Sequence, residues 1–241
     1  MEIRGERECG SCGTRWSYYE TGTVECPACG SVHSVGVDDE PRLHTATGVA
    51  LDLQAARAAA ADRPVAETAE MVAETTREYV GQRGFVAGGD LQPLDDEFLA
   101  AMELRQAADE VRRGLAVAVE EERYLLQLLT GADRGERPSP GDVPTSMRQS
   151  RGLAYVTAVE RYRRDVRKWL DRLDRTAVPA RARATFERLG EHCRRVAALD
   201  GDVPPGEANR LVAAARDLAS YLVEGDEAAL DAARERLDAL E

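Results

Sequence analysis

Two Cys-x-x-Cys pairs, Cys9-Gly-Ser-Cys12 and Cys26-Pro-Ala-Cys29, stand thirteen residues apart near the start of the chain. Each pair delivers two thiolates from one tight turn, and four such soft ligands satisfy the tetrahedral preference of zinc. Gly13 and Gly30 follow the pairs and suit turns with positive φ. The spacing therefore predicts one structural zinc on Cys9, Cys12, Cys26 and Cys29, with no position left for water or substrate. Two disulfides or a redox pair are the rival readings. The duplicated knuckle argues against both, as does the charged opening MEIRGERECG, which lacks the apolar run of an export signal. Thr14–Tyr18 alternates faces and Thr21-Gly22-Thr23 can reverse the chain, so a strand–turn–strand hairpin is expected between the pairs. A further strand is expected over Val32–Val37, with His33 at the surface.

Beyond residue 37 the chain changes character. Asp38-Asp39-Glu40-Pro41 interrupts the pattern, and a linker is expected at 38–47 between a zinc ribbon (1–37) and an α-helical bundle domain (48–241). The chain has 38 alanines and one isoleucine, Ile3, a composition that suits helices and not a β-sandwich. Apolar periodicity and Pro/Gly punctuation predict helices over about 51–61, Pro64–Gly81, 95–131, 148–175, 179–199, 205–224 and 226–240. The helix over 95–131 carries Leu99, Met102, Val111, Leu115, Val119, Leu125, Leu126 and Leu129, with Gly114 as its weak point. At 1.5 Å per residue it would be roughly 50 Å long. The fold class is thus mainly α: a small β ribbon, then a helical bundle with a long antiparallel helical hairpin. Cys193, on a helix, is expected as a small core filler.

The run Cys9–Cys12 with Gly13 and Trp16, followed by Cys26-Pro-Ala-Cys29-Gly30-Ser31, resembles the zinc ribbon of transcription factor IIB and archaeal RNA-polymerase-associated proteins. The likeness covers about 35 residues; the two cyclin-type repeats that should follow in that factor are not found here. The whole chain resembles a haloarchaeal family of ribbon-plus-helix proteins. That likeness is carried by Arg83-Gly84-Phe85, Gly88-Gly89-Asp90, Leu94-Asp95-Asp96, Gly152-Leu153-Ala154-Tyr155 and Tyr162-Arg163-Arg164-Asp165. It implies a two-part protein and supplies no activity.

The formal net charge is −12, which argues against nucleic acid as a partner. Near-absence of lysine (Lys168 alone) and abundant carboxylates match a salt-in halophile, where molar salt shrinks the Debye length to roughly 3 Å and screens self-repulsion. The charge is also polarised: residues 148–195 hold fourteen basic against six acidic residues, a net +8, leaving −20 elsewhere. On the helix over 148–175, Arg161, Arg164, Lys168, Arg172 and Arg175 share an arc of roughly 80°, opposite an apolar face. That stripe is either a phosphate-tracking or acidic-partner surface, or a solvated face paired within the chain; an amphipathic helix favours the latter. In the ribbon, Arg15 and Tyr19 lie on the strand face opposite Trp16 and Tyr18 and form the other candidate contact surface.

Enzyme signals are weak. The Gly-rich 84–89 stretch lacks a G-K-[ST] ending, adjacent His192 and Cys193 diverge by about 100° on a helix, and Asp95-Asp96-Glu97 reads as a helix start more simply than as a cation site. No run of apolar residues is long enough to span a membrane. The sequence therefore predicts a non-enzymatic, cytoplasmic interaction module associated with transcription machinery or nucleic acid. The alternative is a protein–protein adaptor whose helical body docks the partner while zinc only folds the ribbon. No small-molecule substrate is expected.

Overall fold

Short strands open the chain: β1 (Glu2–Ile3), β2 (Glu6–Cys9) and β3 (Arg15–Ser17), then the one-turn helix α1 (Tyr18–Thr21), β4 (Ser34–Gly36) and β5 (Arg42–Leu43). The computed structural model describes residues 1–114, 116–173 and 178–240. β2 is the middle strand of a three-stranded sheet, antiparallel to β3 and β4, with Glu8 opposite both Arg15 and Val35. The hairpin therefore differs from the expected one. Residues 15–17 pair backward with Glu6–Cys9 across the first knuckle, and no strand follows Thr21-Gly22-Thr23. Instead α1 ends on Gly22 at φ 67°, and a loop carries the second knuckle to β4. The knuckle around Gly10–Gly13 is itself the tightest reversal available, so it claims strand β3 for the residues just before it.

Residues 38–47, expected as a linker, are in large part built into the structure as a strap. β5 pairs antiparallel with β1, and Leu43, His44 and Ala46 are buried. The N–H groups of Thr45 and Ala46 both donate to Val86 O, at 2.8 and 2.9 Å.

The remainder is helical, as the composition requires. α2 (Gln54–Asp62) and α3 (Val65–Gln82) precede a tight hairpin of β6 (Val86–Ala87) and β7 (Asp90–Leu91). Then come α4 (Asp96–Arg113), α5 (Val119–Gly131), α6 (Arg148–Leu170), α7 (Ala180–Ala198), α8 (Pro205–Glu224) and α9 (Glu227–Asp238). Prolines stand where they do no harm: Pro64, Pro179 and Pro204 each precede the first helical residue, and Gly225 closes α8 at φ 74°. Ion pairs fix the helix directions. Arg112 meets Glu70 at one end of α3/α4 and Arg83 meets Asp95 at the other, so these helices are antiparallel. α4 and α6 are also antiparallel, with Glu103 against Arg151 and Phe98 against Arg161. One apolar core runs through the whole body.

The single helix expected over 95–131 is two. α4 stops at Arg113, and α5 begins after Ala118, whose N–H is accepted by the Glu121 carboxylate at 3.0 Å. Gly114 is a poor helix former, and Glu120–Glu122 favour the positive end of a new helix. Folding back buries Tyr124, Leu125, Leu128 and Leu129 against α4, whereas Val119, expected on the apolar stripe, is 78 % exposed. Leu115 lies outside the described residues. α6 ends at Leu170 rather than 175, and residues 174–177, Arg175 among them, also lie outside the described residues.

Candidate metal centre

Ribbon formation brings the four predicted cysteines together, and all four sulfurs lie within 4.8 Å of one another. Cys9 Sγ is 3.6 Å from Cys29 Sγ, and Cys12 Sγ is 3.6 Å from Cys26 Sγ. A tetrahedron with zinc–sulfur bonds of about 2.3 Å has edges of about 3.8 Å, so the donor set fits such an ion. The two knuckles are built alike. Cys9 O accepts from Gly13 N–H and Cys26 O from Gly30 N–H, both at 2.9 Å, and both glycines have φ near 70°.

Local donors prepare the sulfurs for ionisation. Ser11 N–H points at Cys9 Sγ (3.4 Å) and lowers that thiol. Thr14 Oγ1 lies 3.2 Å from Cys12 Sγ and, with the Thr14 N–H, holds it down to about 6. Cys29 receives similar help from Ser31 N–H, yet the neighbouring sulfurs of Cys12 and Cys9 push it up to about 12. Crowded thiols hold protons against each other until a cation replaces them, which is the behaviour of a metal site. Trp16 closes the back of the cluster: it is buried with Cys9 and Cys26, and its Nε1–H donates to Thr23 O at 3.1 Å. His33 is exposed and outside the four-sulfur group.

The ribbon contact pair does not stand together. Arg15 is exposed and paired to Glu8 at 2.6 Å. Tyr19 lies in α1, not on the strand, and turns inward: its hydroxyl donates to Ile3 O at 2.8 Å and its ring sits 5.1 Å from the His44 ring. A Cβ on Gly5 would stand 2.0 Å from the Tyr19 ring, so Gly5 is there to admit it. Tyr19 thus belongs to the seam between ribbon and body. His44 is buried in the same seam, where its Nδ1 accepts from Gly88 N–H at 3.2 Å.

The basic stripe is largely matched within the chain. Arg161 turns inward to Val80 O and lies over Phe98, with burial pushing its guanidinium below its ordinary value. Lys168 pairs with Asp165 at 3.1 Å, and Arg172 pairs with Glu2. Arg164 alone is exposed with no ion pair among the described residues of the stripe. Asp95-Asp96-Glu97 is a helix start. Asp95 caps Phe98 N–H (2.7 Å) and pairs with Arg83, while Asp96 Oδ1 takes both Arg137 and Arg216. Cys193 is fully buried, its thiol pushed up by that burial.

A buried polar cluster went unanticipated. Glu103 is completely buried and accepts from Arg151 (3.0 Å), Tyr155 (2.9 Å) and Tyr124. Arg151 also donates to Pro138 O and Asn209 Oδ1, so the cluster ties α4, α5, α6, α8 and the loop before α6. Burial and then the Glu103 charge raise both tyrosines. The signal was present: Glu103 follows Leu99 by four residues, and Arg151 precedes Tyr155 by four, so each charge lies in phase with an apolar stripe.

The residues that carried the likeness to a ribbon-plus-helix family also fall on seams. Asp165 Oδ2 accepts from Thr45 Oγ1 (2.7 Å) and Phe85 N–H (3.0 Å), locking strap, hairpin and α6 together. Gly84 and Gly152 allow backbone contact: a Cβ there would lie 2.1 Å from Thr45 O and 2.0 Å from Gly201 O, respectively. A family model, described as a family of unknown function, matches residues 1–237. Comparison with the curated proteins and with the solved structures finds no match.

Proposed function

The chain belongs to that family, DUF7117, and from this premise we propose that it is a non-enzymatic zinc-ribbon interaction module. The closed set of four thiols carries the reading: with four sulfurs around one ion, no ligand position is open for water or substrate. Zinc is the ion, because four thiolates at tetrahedral spacing match its softness and geometry, and its role is to fold the ribbon. Among the described residues the four cysteines form the one cluster suited to a metal, and the body's buried charges are tied up in its core. Glu103 has its acceptors filled within the core, and a groove of about 490 Å³ between α6, α7 and α8 is lined by Leu170, Leu173, Phe186 and Leu222 together with Arg167, Asp171, Arg183 and Glu187. The likeness to the factor IIB ribbon and the near-absence of lysine support a role beside the transcription machinery of a salt-in archaeon.

Of the two partner classes, protein is favoured over nucleic acid. Lys168 and Arg172 are paired to acids and Arg161 is turned inward, so among the described stripe residues Arg164 is the one left exposed without an ion pair to release counterions from a phosphate backbone. The same pairing favours a protein partner, with the zinc purely structural; the alternative adaptor would dock that partner on the helical body. The test is DNA and RNA binding by the Arg164→Glu/Lys168→Glu variant across a salt series. The expected outcome is weak, steeply salt-dependent binding by the parent chain that the variant loses, with protein partners retained. Tight binding that survives moderate salt and vanishes in the variant would return nucleic acid as the partner.

A further inference from the structure

The ribbon leaves one sheet face unfilled. Among the described residues, four of the eight exposed large apolar side chains fall between 24 and 37: Val24, Val32, Val35 and Val37. The strand register sorts them. Val35 stands opposite Glu8, and Val37 N–H donates to Glu6 O, so Val35 and Val37 share a face with Glu8 and Glu6. The opposite face carries Cys9 and Trp16 and packs on Cys26, so the ribbon's own core is complete without the valines. Val35 is 61 % exposed and Val37 40 %.

The surroundings are acidic. Asp38 Oδ2 accepts Glu6 N–H at 2.9 Å, and Asp39 and Glu40 follow; against these five carboxylates, counting Glu6 and Glu8, stand Arg15, held by Glu8, and Arg4, which lies against Gly36 and donates to Asp39 O. The geometry points to this Val35/Val37 face as a docking surface for a protein segment that carries aliphatic side chains flanked by arginine or lysine. Carboxylates around the patch repel phosphate, which disfavours nucleic acid. They also repel each other across a two-fold contact, which disfavours a second copy of this chain. At the β4 edge one backbone acceptor that an added strand would need is already taken. The Arg7 guanidinium covers Ser34 Oγ (2.9 Å) and Ser34 O (3.0 Å), so the partner contacts side chains rather than the β4 backbone.

This inference rests on the interaction-module reading and names its face and partner chemistry. The experiment is an amide chemical-shift titration of the zinc-loaded full chain with three probes: a short peptide of alternating Arg and Leu, its Glu/Leu counterpart, and a short DNA duplex. The Arg/Leu peptide should shift the amides of Glu6, Glu8, Val35 and Val37, and the other two probes should not. Val35→Thr/Val37→Thr keeps the β-branched shape and should weaken that peptide about tenfold at unchanged zinc content. Glu6→Lys/Glu8→Lys should reverse the preference toward the Glu/Leu peptide. Shifts confined to other residues would overturn this face while sparing the broader reading, and silence toward every probe would count against both. DNA shifting these amides, or sedimentation showing that the valines join two copies, would replace the partner proposed here.

Discussion

In the ribbon the buried apolar cluster consists of Cys9, Trp16 and Cys26, whereas the body buries a continuous core that runs from Leu43 to Leu240. Three side chains cannot offset the conformational entropy of some thirty-five residues, since each ordered residue costs about 1–2 kcal/mol. The ribbon therefore needs the metal proposed for its four thiols, together with the seam to the body. The body depends on area removed from water and on a few buried polar ties. The contrast teaches that one chain can hold two kinds of stability, one resting on four clustered thiols and the other on buried apolar area.

The largest expected effect breaks the ribbon alone. Cys12→Ser, or removal of zinc by chelation, should unfold residues 1–37 and leave the helical circular-dichroism signal of the body nearly intact. Trp16 fluorescence should move to its exposed value, and metal analysis of the parent chain should find about one zinc per chain. Substantially less zinc in fresh protein, or an unchanged Trp16 signal in the variant, would remove the metal from the account.

The next effect breaks the body alone. Glu103→Ala strands the buried Arg151 guanidinium and should destabilise the body by about 3–5 kcal/mol in denaturant unfolding. The ribbon's zinc content should not change. A loss below about 1 kcal/mol would mean that water reaches Arg151 and that the cluster is not a tie between helices.

The smallest effect tests the seam. Burial of His44, and then the Met1 amino group, hold its imidazole below its ordinary 6.5, because Nδ1 must stay unprotonated to accept Gly88 N–H. Folding thus favours the neutral form. The seam's contribution should be complete above pH 6.5 and fall away as pH drops through the lowered folded value. Amide exchange at Gly88 and Thr45, followed with pH in the zinc-loaded chain, reads this directly. His44→Asn, which can still accept a hydrogen bond, should flatten the dependence; a parent chain that shows none would leave His44 without a role in docking.

Much of this was legible from residues. The helix limits at Pro64, Pro179, Pro204 and Gly225 follow from a missing N–H and from tolerance of positive φ, both local properties. The clustering of the four cysteines was legible because a knuckle is a local turn. The stripe was legible as a face and not as a surface, since Glu2, Val80 and Phe98, which meet Arg172 and Arg161, lie far away in sequence. The break after Arg113 was marked by Gly114, but only the packing of Tyr124 on Glu103 decides that the chain folds back there.

The sequence by itself determined the four-thiol centre, the helical character of the body and the helix limits marked by Pro64, Pro179, Pro204 and Gly225. These depend on residues a few places apart, whose geometry the backbone already constrains. Tertiary structure alone decided that the strap is docked rather than free, that Tyr19 closes a seam, that Glu103 and Arg151 meet inside the core, and that Arg161 turns inward to Val80 O while Arg172 meets Glu2. Each of those outcomes needs two charges or surfaces brought together across tens of residues, and no local pattern records which pair will meet.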